Sequence, residues 1–541
     1  MAIWLAVLFA LFITMALVPL LRDIALRLQA VDMPNERKVH SRPMAKTGGL
    51  AMAVGALIPI LIWLPAGMSS VPLLISCLMI IVFGFVDDLK DLNSRIKFFV
   101  QFLAALVVVV WGGLKITTLG GLLPAGLLLP DFVAIPLTLF VIVGVTNAIN
   151  LADGLDGLAG GISLLSYICI AYLAFLSDRL DITLIAAAMA GAIFGFLRFN
   201  TYPASVFMGD AGSQLLGFLA IVLALELTQT GAPYSPVLPL LLLGFPILDT
   251  LTVMTERIAH GHSPFVADKN HFHHKLMRHG LSHAESVITI YMLQTCLMMA
   301  GFLLRFYSDW LLLLGYLMFS GLILVTFHRA QQKNWRFNEV SATRLHLRGR
   351  LSRWLSRDRA IKFSFRAVQL FFPAALVAIS FMPKEIPGWL GGLSCVLLML
   401  LLLRRDNAQS GHGLILRLAV YLVPPVLLYL GELVTDKGWS FSLSHLLFIL
   451  LILLVVAVIR FSRRAGYRST PLDYLVLFLA LVVPNLNLFA VPDQRVGLMA
   501  AMLLVLFFTL EVLLEETRNN CRSAVAAVYL MTAIVVVRAI F

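Results

Sequence analysis

Apolar runs of roughly 17 to 25 residues recur from one end of this chain to the other, each long enough to cross a hydrocarbon core of about 30 Å. That feature leaves few folds open. Inside a bilayer every backbone N–H and C=O must be satisfied within the protein, so only helices or a closed barrel can span it. The runs lack the period-two alternation of barrel strands, and the chain reads as an all-α polytopic membrane protein. Of its 541 residues 60% are hydrophobic and 13% charged. By length and hydropathy about eighteen spans fit. The first run, "MAIWLAVLFALFITMALVPLLRD", has no basic residue before it, while Arg22 and Arg27 come at its end and beyond. It therefore predicts a retained span with its N-terminus outside, not a cleaved signal. Cys77, Cys169, Cys296, Cys395 and Cys521 are scattered with no CxxC pair, which argues against a disulfide framework or a zinc site.

Hydropathy places spans near 2–21, 48–67, 70–86, 98–112, 132–149, 158–176, 182–197, 212–229, 235–254, 286–304 and 309–327. Seven more are expected near 367–382, 389–403, 414–430, 443–459, 471–489, 496–514 and 523–540. Basic residues fall after alternate spans: Arg37, Lys38, Arg42 and Lys46, then Lys90, Arg95 and Lys97, then Lys269, Lys275 and Arg278. By the positive-inside rule these loops face the cytoplasm. The formal charge of +12 is not a nucleic-acid footprint, because residues 329–366 alone carry eleven Lys/Arg against Glu339 and Asp358. There Leu347, Leu351, Trp354 and Leu355 form an apolar stripe at helical spacing, as in a helix lying on anionic lipid, although a solvated linker is the bland alternative. The expected organisation is a membrane core over 1–328, a basic interfacial segment over 329–366 and a second polytopic module over 367–541.

Four polar clusters, "DDLKD" (87–91), "NAINLADGLDG" (147–157), "FMGDAGS" (207–213) and "DKNHFHH" (268–274), follow the third, fifth, seventh and ninth spans, so all four belong on one side. Asp87, Asp88 and Asp91 crowd like charges that call for a cation, and Mg²⁺ takes hard carboxylate oxygens together with substrate phosphates. A solvated helix end is the plain alternative. Asn147 and Asn150 lie within about 60° of each other on a helix. Gly154 and Gly157 would let that helix end, turning Asp153 and Asp156 back toward the same pocket. Asp210 sits among glycines that a ligand can approach closely, or it is simply the cap of the next span. His271, His273 and His274 are too close in sequence to share one tetrahedral ion, and fit phosphate or sugar oxygens better, unless they are idle surface residues. Together the clusters suit phosphoryl transfer at a membrane surface. Asp249 is placed to support that site, and Glu226 has no assigned role.

The stretches "VDMPNERKVHSRPMAKTGG", "DDLKDLNSRIKFFVQ", "VTNAINLADGLDGLAGG", "VFMGDAGSQLLGF" and "SPFVADKNHFHHKL" together resemble the polyprenyl-phosphate N-acetylhexosamine-1-phosphate transferases. Among these the likeness is greatest to bacterial undecaprenyl-phosphate GlcNAc-1-phosphate transferases that begin O-antigen and related cell-surface polysaccharides. The resemblance implies a cytoplasmic active site that moves a sugar 1-phosphate from a UDP-N-acetylhexosamine to undecaprenyl phosphate, releasing UMP and needing Mg²⁺ or Mn²⁺. It implies Asp210 as leading metal ligand with Asn150 and Asp153, Asp87 as base with Asp88 beside it, and Asp156 orienting the nucleotide. Phe207 would stack on uracil, and Lys97 would meet phosphate. His271, His273 and His274 would hold the donor's diphosphate or sugar, with Asn147, Arg257 and, more weakly, Lys38 and Lys46 in support. Direct attack is favoured over a covalent aspartyl-phosphate route. Membrane lipid and a second copy of the chain are the further partners considered, and nucleic acid is not one. The rival readings are another UDP-sugar, such as UDP-N-acetylfucosamine or N-acetylquinovosamine, and a lipid-linked glycan transporter, which should instead place its polar groups at mid-bilayer. The chain departs from the family after residue 328.

Overall fold

A computed structural model describes residues 2–27, 31–32, 43–64, 70–90, 92–124, 126–231, 233–261, 263, 270–333, 357–403, 412–432 and 522–540. It also describes the separate positions 448, 450–451, 502, 505–506, 509–510 and 513. The chain divides into two compact units, Met1–Val340 and Ser341–Phe541. Both are helical, and among the described residues ten helices are long and apolar enough to cross a membrane. The protein is therefore an all-α polytopic membrane protein.

In the first unit α1 (Ala2–Arg27), α2 (Gly48–Trp63), α3 (Ser70–Lys90) and α4 (Ser94–Leu106) come first, α4 running on into a π turn (Val107–Trp111). Then follow α5 (Asp131–Ala152), α6 (Leu158–Leu176), α7 (Leu180–Asn200) and α8 (Gly209–Gln229). The unit closes with α9 (Leu238–Leu242), α10 (Gly244–Ala259), α11 (Phe272–Arg278), α12 (His283–Leu304) and α13 (Asp309–Gln332). One short antiparallel pair, β1 (Val31–Asp32) with β2 (Met44–Ala45), joins Val31 to Ala45 and Asp32 to Met44 between α1 and α2.

α8 is the mast of this unit. It is buried from Ala211 to Leu225 without interruption, as befits a helix that is apolar on every side, and α2, α3, α5, α6 and α7 pack around it. Small residues bring the neighbours in. A Cβ on Gly84 of α3 would lie 2.5 Å from the Ala211 Cα, and one on Gly217 of α8 would lie 2.8 Å from the Thr146 Cα of α5. In lipid, where water drives no association, such backbone approach supplies the packing.

The apolar run at 235–254, expected as one span, is two helices that meet at Leu243. Pro246 has no N–H to give to the Leu242 carbonyl four residues back, so the ladder breaks there. The Leu242 carbonyl instead accepts from Ser166 Oγ of α6 at 2.8 Å and from Gln294 Nε2 of α12 at 2.6 Å. Gln294 Oε1 in turn accepts from the Phe245 N–H at 3.0 Å, so the break is sealed inside the bilayer by two side chains.

In the second unit the described helices are α14 (Arg357–Ser380), α15 (Gly388–Leu403), α16 (His412–Glu432) and α17 (Arg522–Ile540). Arg538 of α17 donates to the carbonyls of Ser380, Pro383 and Lys384 at 2.6, 2.7 and 3.1 Å, satisfying backbone acceptors at and just beyond the end of α14. The interfacial stripe at 347–355 lies outside the described residues, as do the expected spans near 443–459, 471–489 and 496–514 apart from the separate positions named above.

The α3–α8 approach gives a direct check. Gly84→Ala forces backbone apart at Ala211 and is expected to cost about 1–3 kcal/mol, seen as a lower melting temperature of the detergent-purified protein. A melting temperature equal to wild type would mean that the helices are not packed this closely.

Candidate active site

Helices α3, α5 and α10 end, and α2, α4, α6, α8 and α12 begin, at the same end of the first unit. The polar clusters are the segments between them. At their centre is the start of α8. Gly209 takes a left-handed conformation (φ 74°), and a Cβ there would lie 2.4 Å from Asp88 Oδ2. The turn aims the first N–H groups of α8 at α3. Asp88 Oδ1 accepts from the Asp210 N–H at 2.8 Å and Oδ2 from the Ala211 N–H at 3.1 Å. An anion at a helix N-terminus is stabilised by both the hydrogen bonds and the dipole. Asp88 thus spends both oxygens on backbone.

Asp87, 3% exposed, accepts from the Leu92 N–H at 2.8 Å through Oδ1, while Oδ2 lies 2.6 Å from Lys97 Nζ. The same ammonium donates to Asp210 Oδ2 at 2.8 Å. Lys97, held on α4 by a helix that Asn93 caps, therefore bridges carboxylates from α3 and α8. Lys46 lies near enough for its charge to act on Asp88 and Asp210. It stands just before Thr47, and the N–H groups of the next two residues, Gly48 and Gly49, donate to the Phe207 and Met208 carbonyls at 3.0 and 2.8 Å. Phe207 is half-buried, and its own N–H donates to the Ala45 carbonyl at 2.9 Å.

The two asparagines of α5 go to different neighbours. Asn150 Oδ1 accepts from Ser213 Oγ of α8 at 2.6 Å, whereas Asn147 Nδ2 donates to Gln101 Oε1 of α4 at 2.6 Å. Past the end of α5 the two aspartates also part. Asp156 Oδ2 accepts from the Ala204 N–H at 2.9 Å, and its own N–H donates to His283 Nε2 at 3.2 Å, so this residue ties two loops together. Asp153 makes no side-chain hydrogen bond to any described residue. Burial first, then the charges of Asp210, Asp156 and Asp88, push its carboxyl up to about 7. Asn200 and Tyr291 hold the Gly157 N–H and carbonyl, at 3.0 and 2.5 Å, and so fix this loop.

The histidines close the far wall. His271 Nδ1 lies 3.0 Å from Asp249 Oδ2, and Asp249 Oδ1 accepts from the Phe272 N–H at 2.8 Å, so the support expected of Asp249 is an anchor for the start of α11. His273, 2% exposed, has its ring over Gly154, where a Cβ would come within 2.4 Å of Nε2. It stacks between His271 and His274 with centroids 5.8 and 4.2 Å away. Burial, then the charge of His274, drives its pKa down to about 3, against the pull of Asp249, so the ring is neutral at physiological pH. Arg257 is half-buried on α10, two turns beyond Asp249. Lys38, Asp91, Asp268 and Lys269 lie outside the described residues.

Sequence reasoning passed over Gln101 and Gln214, although each follows a named site residue by four positions and so shares its helix face. Asn200, Tyr291 and His283 carried no comparable signal. Glu226 lies more than four turns along α8 from Asp210, toward the opposite end of the unit.

Among the described residues no three Asp, Glu, His or Cys side chains converge to cage an ion by themselves. Mg²⁺ does not require such a cage, because it keeps waters and takes one or two carboxylates together with substrate phosphates. Asp153, without a hydrogen-bonding partner among the described residues and raised by burial and then by neighbouring negative charge, together with Asp210 and Asn150, forms the donor set that fits a hard cation. The arrangement can bring positive charge from Lys97 and Lys46, hard oxygen donors and neutral imidazole to one membrane boundary.

The fold and this site define a polytopic membrane protein with a charged interfacial centre. The profile of glycosyl transferase family 4 matches residues 70–228, which carry every acid of that centre named above except Asp249. A probable undecaprenyl-phosphate N-acetylglucosaminyl 1-phosphate transferase of Bacillus subtilis is 35% identical over 306 residues, covering 56% of this chain and 85% of the relative. An undecaprenyl-phosphate alpha-N-acetylglucosaminyl 1-phosphate transferase of Yersinia pestis is 33% identical over 318 residues, covering 56% and 86%. A decaprenyl-phosphate N-acetylglucosaminephosphotransferase of Mycobacterium leprae is 36% identical, covering 50% and 75%. The chain belongs to the polyprenyl-phosphate N-acetylhexosamine-1-phosphate transferases of glycosyl transferase family 4.

Asp153 sets a pH dependence whose sign follows from its raised pKa. Below about 7 the carboxyl holds a proton that a cation must displace, and above it the anion is already present. Mn²⁺ binding, read by electron paramagnetic resonance, is expected to weaken by up to about tenfold per pH unit below 7 and to level off above it. Asp153→Asn should flatten that slope; an unchanged slope would remove Asp153 from the ion's surroundings.

Proposed function

We propose that this chain transfers an N-acetylhexosamine 1-phosphate, GlcNAc-1-phosphate foremost, from its UDP-sugar to undecaprenyl phosphate and releases UMP. The reaction would take place at the cytoplasmic face of a bacterial inner membrane, as the first step toward a cell-surface polysaccharide. The observation that carries this reading is the Asp87–Lys97–Asp210 bridge beside Asp153, at the bundle end where the interhelical loops are basic. The activities named for the relatives support the same acceptor and sugar phosphate.

Both substrates are anions, so their approach must be offset by positive charge. Lys97 and Lys46 supply part of it. Asp210, Asp153 and Asn150 would hold Mg²⁺ or Mn²⁺, which when bound neutralises phosphate charge. In the transfer an oxygen of the lipid phosphate bonds to the donor's β-phosphorus, the bond to the bridging oxygen breaks, and UMP leaves with that oxygen. Asp87, whose Oδ2 faces Lys97 Nζ, would take a proton given up by the lipid phosphate. Both Asp87 and Asp88 already have both oxygens engaged, which favours direct attack over an aspartyl-phosphate intermediate. Phe207, His271, His273, His274 and Arg257 would face the nucleotide and sugar, whereas the Asn147 amide is taken up by Gln101 and the Val143 carbonyl. His273, being neutral, would serve as a single donor or acceptor, not as a charge. The broken helix at Leu243 has its exposed carbonyl filled by Ser166 and Gln294, unlike the open carbonyls with which transporters bind solutes.

Purified protein supplied with undecaprenyl phosphate, Mg²⁺ and UDP-GlcNAc, UDP-N-acetylfucosamine or UDP-MurNAc-pentapeptide in separate assays should release UMP, with UDP-GlcNAc the expected donor. Asp210→Asn should lower kcat by about 100-fold or more. Release from a different donor alone would replace the sugar. Full activity of Asp210→Asn would sink the site assignment.

A further inference from the structure

One turn beneath Lys97 and Asp210 runs a second rung that the proposed chemistry does not use. Gln101 follows Lys97 by four residues on α4, and Gln214 follows Asp210 by four on α8. Both helices begin at the site end, so both amides lie one turn deeper into the unit. Gln101 Nε2 donates to Gln214 Oε1 at 3.1 Å, and Gln101 Oε1 accepts from Asn147 Nδ2 at 2.6 Å. Asn147 also donates to the Val143 carbonyl at 2.9 Å. Gln101 is 1% exposed and Gln214 4%. One carboxamide therefore ties three helices together.

Primary amides are costly to place in hydrocarbon unless they are bonded, so this chain of amides is an expensive way to fill space where leucine would pack as well. α4 packs on α3 and α5, and its backbone contact with α8 is slight. The two rungs therefore bridge α4 to α8. The upper one ends in a lysine on a flexible four-carbon stem, which can span a range of helix separations. The lower one joins two shorter, enclosed amides and permits little variation. Because the same two helices carry both rungs at the same offset, the lower rung sets the distance across which the upper one works.

We propose that Gln101 is a positioning residue for the transfer reaction: by holding Gln214 and Asn147 together it fixes α4 against α8 and α5, and so places Lys97 between Asp87 and Asp210. Gln101 touches no reacting atom, and its role rests on the functional reading above. Misplacing a cation by a fraction of an ångström weakens it most where charge develops, so the effect belongs in kcat and not in substrate binding.

The test uses the full chain with Gln101→Met, Gln214→Met and the double variant, methionine being close in shape but unable to make the rung. Each single variant is expected to lower kcat about tenfold or more while KM for UDP-GlcNAc and undecaprenyl phosphate stays within about twofold. Melting temperatures should fall by a few degrees in the single variants, which strand a buried amide, and by less in the double, so that kcat and stability do not move together. The double variant should be no slower than either single one, because either change removes the same rung. Unchanged kcat in an active protein, kcat losses that track falling melting temperature, or singles that multiply in the double would each overturn the proposal. Should Gln101→Met fail to fold, Gln214→Met carries the same expectation alone. A wild type silent with all three UDP-sugars would overturn the functional reading and this inference with it, whereas an active wild type with indifferent variants overturns only the role of Gln101.

Discussion

The carboxylate of Asp88 on the Asp210 and Ala211 N–H groups at the start of α8 is the contact on which the rest of the site depends. It joins the end of α3 to the start of the most enclosed helix in the unit, at a point where Gly209 alone permits the approach. The two backbone hydrogen bonds and the helix dipole offset part of the cost of burying this carboxylate. The structural consequence of the contact is the larger one. Asp210 is the first residue after the turn, so anchoring its N–H sets the direction of its side chain, and Lys97 then has two fixed carboxylates to bridge. The neighbouring acids divide accordingly. Asp88, Asp156 and Asp249 spend their oxygens on backbone N–H groups, and Asp249 on a histidine as well. Asp153 and the acids of the Asp87–Lys97–Asp210 bridge are those of the site not given over to backbone and histidine alone.

Much of this could be read in the residues beforehand. Runs of bilayer length gave the helices, and basic loops at alternate ends brought four clusters to one side, because both signals depend on composition over many residues. The break at Leu243 was hidden: Pro246 announces it, but a hydropathy window averages across it, and the side chains that seal it come from α6 and α12. At the site the acids were legible and their division of labour was not. Asp153 and Asp156 look alike in "LADGLDG", and only the positions of Ala204 and His283, some 50 and 130 residues further on, separate an anchor from an unpartnered carboxylate. Likewise Asn147 and Asn150 share a helix face, yet that face meets α4 on one flank and α8 on the other.

The histidine wall shows why residue type alone misjudges charge. A run of imidazoles beside lysines and carboxylates suggests a cationic grip. Here His273 is buried between two other rings and against Gly154; burial disfavours its charged form first, the neighbouring His274 adds to that, and it stays neutral. The positive charge of the site falls instead to Lys97, held from two sides, and to Lys46 at the start of α2.

The central claim is that donor nucleotide, lipid phosphate and acids meet at this one end of the first unit. Photolabelling with 5-azido-UDP-GlcNAc, followed by peptide mapping, tests it most directly. The account predicts label within 201–213 or 270–278, suppressed by excess UMP. Label confined to the opposite end of the unit, around 112–130 or 305–309, or to the second unit, would contradict it.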